Sequence, residues 1–191
     1  GGRNRRGGAR RRLALQRDGL AAPPHDAEQR RQHGESHGAD HEQGQRAGLE
    51  NVVTYINSGN VGFDADGDES TQVAIIERAI EADFDKQIPV MVRGQSEIAR
   101  IMSANPFAGQ FESHKEMHVL FLKEEMPQEK FDQLVAASTP PERFALIGRE
   151  LYCHLPLGVA DSILGKSFIE KKLKVAVTGR NWRTVEKLAT L

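Results

Sequence analysis

The sequence predicts an α+β protein of two ferredoxin-like (split β-α-β) subdomains, the first lacking its initial strand and helix. Three observations predict it. Between residues 116 and 191 the apolar pattern runs strand, helix, strand, strand, helix, strand. Between 49 and 95 it runs strand, strand, helix, strand, the same order without its first two elements. Residues 1–48 stand where those two elements belong, yet contain no Val, Ile, Met, Phe, Tyr, Trp, Thr, Lys or Cys. Such a segment offers little apolar surface to offset the entropy of ordering it.

The elements follow in order. Val52 to Ile56 is β-branched and aromatic, Asn57-Ser58-Gly59-Asn60 is turn chemistry, and Val61 to Phe63 resumes the strand, which makes a hairpin. Asp64 to Ser70 is a polar loop with an N-cap signal, after which Val73, Ile76, Ile80 and Phe84 fall on one helical stripe. "QIPVMVR" is a strand with Pro89 at its start. A short helix with Ile98, Ile101 and Met102 is ended by "NPF" at Asn105 to Phe107. The second unit opens with "MHVLFL", Met117 to Leu122, and Pro127 starts a helix with Phe131, Leu134 and Val135 inward. "RFALI" and "LYCHL" flank Gly148-Arg149-Glu150 as another hairpin. Asp161 caps a helix running to about Lys172, Val175 to Val177 is a short last strand, and Thr178 or Asn181 caps a final helix. The expected boundaries are a disordered or out-of-frame segment at 1–48, the incomplete first subdomain at 49–95, a linker with a short helix at 96–115, and the second subdomain with its C-terminal helix at 116–191.

The first forty-eight residues carry ten Arg and six acidic residues, +4, whereas the rest carries sixteen basic and twenty-one acidic, −5. The overall −1 therefore argues for no particular partner. Arg3, Arg5, Arg6 and Arg10 to Arg12 suit a disordered arm that binds nucleic-acid phosphate. His33, His37 and His41 have the i, i+4, i+8 spacing of a metal-binding helix face, but Gly34 and Gly38 each oppose that helix by about 1 kcal/mol. A third reading explains more. Arg without Lys, amid Gly, Ala, His, Gln and Pro, is what a GC-rich coding region yields in the wrong frame. The expectation is a frameshifted segment that regains its frame near Gly48 to Asn51 and holds no packed core.

"TYINSGNVGF", the "NPF" at Asn105, "LPLG" at Leu155 to Gly158 and "VTGRNWRT" at Val177 to Thr184 occur in an order that resembles the bacterial domain of unknown function family 1697. The resemblance covers roughly residues 49 to 191. It implies two ferredoxin-like subdomains and an initial strand reading like "ALLRGINVGG", followed by a helix, that this sequence lacks; it implies no activity.

No stretch approaches the roughly 18 consecutive apolar residues of a membrane-spanning helix, and the single Cys153 excludes an internal disulfide, so a cytoplasmic protein without a membrane role is expected. No cofactor or metal is expected. "GKS" at Gly165 to Ser167 has Ala160 where a phosphate-binding loop needs Gly. His114 and His118 read as solvent-facing residues, Cys153 as buried beside an exposed His154, and Asp64, Asp66 and Asp68 as a solvated loop. No nucleophile with its base and no paired carboxylates stand out, so no reaction is assigned.

The C-terminal stretch does ask for a partner. From Ser162 to Leu191, Lys166, Lys171, Lys172, Lys174, Arg180, Arg183 and Lys187 face only Glu170 and Glu186. Arg180 and Arg183 flank the cap at Asn181, where free N–H groups favour an anion. Both guanidinium groups are expected to be exposed and dispensable for stability. Trp182 either stacks on a planar ligand or joins Val185 and Leu188 in the helix's core stripe. The candidate ligand-binding set is Arg180, Asn181, Trp182, Arg183 and Lys174, joined by Asn57, Ser58 and Asn60 if that turn lies beside the C-terminal helix. The expected partner is a small phosphate-bearing anion. A nucleic-acid-binding plait, with Tyr55, Phe63, Phe121 and Tyr152 as its scattered aromatics, and a protein interaction module are the alternatives.

Overall fold

The computed structural model describes residues 10–16, 49–55 and 59–191. Strands β1 (Arg10–Gln16), β2 (Glu50–Thr54), β3 (Asn60–Ala65) and β4 (Val90–Gly94) form an antiparallel sheet in the order β2-β3-β1-β4. Strands β5 (Met117–Leu122), β6 (Arg143–Ile147), β7 (Glu150–His154) and β8 (Val177–Asn181) repeat it as β6-β7-β5-β8. Helix α1 (Glu69–Phe84) leads into β4 and α3 (Gln128–Ala137) into β6, while α2 (Gln95–Ser103) and α4 (Trp182–Leu188) continue directly from β4 and β8. Both sheets have the ferredoxin-like strand order.

The first sheet possesses its initial strand. β1 is an interior strand, paired with β3 from Arg10↔Ala65 to Leu15↔Asn60 and with β4 from Arg12↔Gly94 to Gln16↔Val90. This overturns the expectation that the strand is lacking and that residues 1–48 hold no packed element. A strand covered on both faces needs a continuous apolar run, and the three residues Leu13-Ala14-Leu15 supply it. Leu13 and Leu15 enter one core and Ala14 another, all at most 2% exposed. The flanking arginines find partners at the sheet's rim: Arg11 donates to the carbonyls of Leu191 (2.9 Å) and Asn51 (2.8 Å), and Arg12 to that of Gly67 (3.3 Å). The expected missing helix, and His33, His37 and His41, fall outside the described residues.

Three cores organise the layers. Ala14, Val52, Phe63, Ile76, Ile80, Val90 and Val92 pack α1 on the first sheet. Leu120, Leu122, Leu134, Leu151, Leu164 and Ile169 fill the corresponding side of the second. Between the sheets, Leu13, Leu15 and Met91 meet Val119, Phe121 and Tyr152, with Ile98 and Ile101 of α2 and Trp182, Val185 and Leu188 of α4. The two units therefore share an interior, and the helices that follow β4 and β8 lie within it.

Two further expectations change. Val135 is 46% exposed because α3 rests on Phe131 and Leu134 and carries Val135 around the helix. The helix expected from Asp161 to Lys172 is two short pieces, a 3-10 turn at Ile163–Lys166 and a π turn at Ile169–Leu173. Ser162, rather than Asp161, caps the first. The chain folds tightly at Gly165, where a Cβ would sit 2.6 Å from the Val159 carbonyl oxygen, and Ser167 ends the turn at φ 53°. β8 also begins later and runs longer than expected, since it stays paired with β5 as far as His118↔Asn181.

Candidate functional site

Alternation along β8 sends Thr178 and Arg180 toward the first unit, and Arg180 is 4% exposed. Its Nε donates to Asn60 Oδ1 at 2.5 Å, Nη1 to Thr178 Oγ1 (2.6 Å) and to the Gly179 carbonyl (2.8 Å), and Nη2 to the Gly59 carbonyl (3.3 Å). Asn60 is itself buried, and its Nδ2 donates to the Tyr55 carbonyl at 3.0 Å. Gly59 and Asn60, at the start of β3, thus lie against the end of β8. Asn57 and Ser58 fall outside the described residues.

Asn181 is the α4 cap, its Oδ1 accepting from the Thr184 N–H and hydroxyl, both at 3.0 Å. Arg183 is exposed in the first turn. Trp182 takes the core alternative: it is 8% exposed, packs edge-on against Phe111 with centroids 5.9 Å apart, and has no face for a ligand. Arg180 likewise departs from expectation, because it is an interior cross-unit anchor rather than an exposed arm. Lys174 does not join the group. It precedes Val177 at the far end of β8, and the four strand steps from Val177 to Asn181 alone span about 13 Å.

The same position in the first unit holds another arginine. Arg93, like Arg180, is the fourth residue of its sheet's last strand and precedes a helix cap. It is 1% exposed and reaches the β6–β7 hairpin, where Nε meets Glu150 Oε1 at 2.8 Å and Nη2 donates to the Leu122 carbonyl at 2.8 Å. Glu150 opens β7 as Asn60 opens β3, so each unit inserts an arginine into the other's hairpin. Around Arg93, Arg149 binds Glu69 through two bonds (2.6 and 3.0 Å) and lies 3.8 Å from Glu97, whose Oε2 accepts from the Gly94 N–H at 2.6 Å. Burial pushes the Glu69 carboxyl up, but Arg149 and Arg93 hold it below its usual range.

His118, Cys153 and His154 are also buried. His118, expected at the surface, is 7% exposed, and burial holds its pKa down at about 4. Its neighbours across the strands are Cys153 and Asn181. Burial raises the Cys153 thiol well above its usual value, so thiol and imidazole face each other uncharged rather than as a nucleophile and base. His154, expected to be exposed, is 6% exposed, stacks on Phe107 and accepts from Arg143 at Nδ1 (2.9 Å). Burial first, then Arg143, lowers its pKa. Among the described residues no group of three or more His, Cys, Asp or Glu is placed to hold a metal.

The sequence reading missed Arg93, and it counted Lys187 in the basic stretch without placing it in the candidate set; the Lys187 ammonium lies 5.9 Å from the centroid of the half-buried Tyr55 ring. A signal for Arg93 existed in the parallel between "VMVRG" and "VTGRN", each an arginine before a capping residue. What the β8–α4 junction gathers is a buried guanidinium, amides from two units, an aromatic ring, and the exposed cations Arg183 and Lys187. That set can bind negative charge but holds no nucleophile or base.

Among solved structures, the conserved bacterial protein SP0830 from Streptococcus pneumoniae superposes with a TM-score of 0.66 at 16% identity, covering 95% of this chain and 97% of that one. That likeness shows a shared fold. No curated protein matches the chain. Residues 41–152 match the family described as "Protein of unknown function (DUF1697)", a span that takes in the β2–β3 hairpin, runs into β7 and stops short of β8 and α4. The chain belongs to that family.

Proposed function

We propose that the protein binds a small phosphate-bearing anion where the β2–β3 turn meets the start of α4. The observation that carries this reading is the Arg180–Asn60 bond, which joins residues 120 apart and unites the two polar clusters picked out in the sequence. Arg183 and Lys187 stand one helical turn apart on α4 and supply solvent-exposed charge, Lys187 reaching the ring of Tyr55. The equivalent place at Arg93 is filled by carboxylates, which oppose an anion. A cytoplasmic setting suits the single, fully buried and reduced Cys153. Among the described residues no helix is long and apolar enough to cross a membrane.

The reading as a nucleic-acid plait has less support. Such a plait stacks bases on an open sheet face, whereas Phe63, Phe121 and Tyr152 are each at most 1% exposed. Thermal unfolding against inorganic phosphate and a panel of phosphorylated metabolites tests the proposal. A ligand at a hundredfold excess over its Kd should stabilise the protein by about 2.7 kcal/mol, and Arg183→Gln with Lys187→Gln should remove that gain. Binding only to oligonucleotides, weakening steeply with salt, would instead favour the plait. No shift from either class would leave the interaction module.

A further inference from the structure

We infer that the anion taken at the β8–α4 junction is a nucleoside phosphate whose base stacks on Tyr55; this rests on the phosphate reading above. Tyr55 closes the β2–β3 hairpin, its N–H donating to the Asn60 carbonyl at 2.9 Å, while its own carbonyl accepts from Asn60 Nδ2. The ring is thereby tied to the residue that Arg180 grips, and its place relative to β8 is set by the same bonds. Unlike Phe63, Phe121 and Tyr152, Tyr55 stays half-buried and is the aromatic of that group left within reach of solvent.

Lys187 covers this ring, and Lys187 lies four residues after Arg183 on the same face of α4. A cation above an aromatic ring occupies the place a planar base takes, because both are attracted to its electron-rich face. An incoming base displaces the Lys187 ammonium, which is exposed and carried on a flexible stem, toward Arg183, where the two cations clasp the phosphate. A bare phosphate uses only the second half of this arrangement. A nucleoside monophosphate uses both halves.

Calorimetric titration of the full chain with adenosine 5′-monophosphate and with ribose 5-phosphate separates the two halves. The nucleotide should bind roughly tenfold or more tightly than the sugar phosphate, about 1.4 kcal/mol, the lower end of what one base–aromatic stack contributes. Tyr55→Leu should erase that difference while leaving ribose 5-phosphate affinity unchanged, and Tyr55→Phe should keep it. Arg183→Gln should weaken both ligands by a similar factor, and Lys187→Gln should weaken ribose 5-phosphate more than the nucleotide, because the base then has no ammonium to displace. Equal binding of the two ligands by the wild-type chain would overturn the base platform and leave the phosphate reading standing. Binding of neither, with an unchanged melting curve in inorganic phosphate, would overturn both.

Discussion

Arg93 and Arg180 occupy the same position in two repeats of one fold, each crossing into the other unit's hairpin, yet they meet different chemistry. Arg93 finds a carboxylate at the first residue of β7, with Arg149, Glu69 and Glu97 arrayed around it. Arg180 finds a carboxamide at the first residue of β3, with a hydroxyl and carbonyls. The geometry is shared between the repeats, whereas among the described residues the acceptors include carboxylates at Arg93 and are neutral groups at Arg180. The first clasp is an ion-pair network that ties the units together. The second holds its guanidinium with neutral acceptors of the described residues and has exposed cations beside it, and that is where a ligand is proposed.

The largest expected effect tests the first clasp. Arg93→Met leaves Glu150 partly buried without its partner and should cost about 3–5 kcal/mol in urea unfolding. Arg93→Met combined with Glu150→Met should recover part of that loss, since the stranded charge is gone. The acceptors that Arg180→Met abandons among the described residues are neutral, and losing them should cost less, about 1–3 kcal/mol. Equal losses from the two arginines would break the comparison.

Acid distinguishes the units in another way. His118 lies in the second sheet with a folded pKa of about 4, against 6.5 when unfolded. Its neutral form is favoured by folding, so the unfolded chain binds the extra proton between those values and stability falls as pH drops from 6.5 toward 4. The loss from this group should reach about 3 kcal/mol and stop near pH 4, and His118→Leu should flatten that part of a pH series of melts. The first clasp responds at lower pH. Glu69, with its carboxyl held below the ordinary value of 4.5, contributes stability that persists above that value and is lost as pH falls through its lowered pKa.

The smallest effect sharpens the second clasp. Arg183→Gln changes an exposed side chain and should leave the ligand-free melting free energy within about 0.5 kcal/mol of wild type, while lowering phosphate-ligand affinity. A ligand-free loss as large as that of Arg180→Met would make Arg183 part of the clasp instead of the proposed binding surface.

By itself the sequence determined most elements after residue 48. Periodicity and turn chemistry located both hairpins, α1 and β5, and narrowed the last helix cap to Thr178 or Asn181, because those signals are local: a stripe every three or four residues, or a Gly between two strands. It also determined the repeated strand order, through the succession of elements. Only the tertiary structure decided what the arginines do. A strand rich in Arg looks unfoldable alone, yet "RRRLALQ" becomes the interior of a sheet because both its faces are covered by chain from elsewhere and its charges reach carbonyls of Leu191, Asn51 and Gly67. Arg180 looked like a surface cation because it sits in a basic stretch beside a helix cap; its partner Asn60 comes from the other repeat. His118 and His154 were misjudged for the same reason, since alternation along a strand says which residues share a face but not whether that face will be covered. Burial of a polar group is a property of what packs against it, and those contacts come from other elements of the fold, 57 positions away for Arg93 and Glu150 and 120 for Arg180 and Asn60.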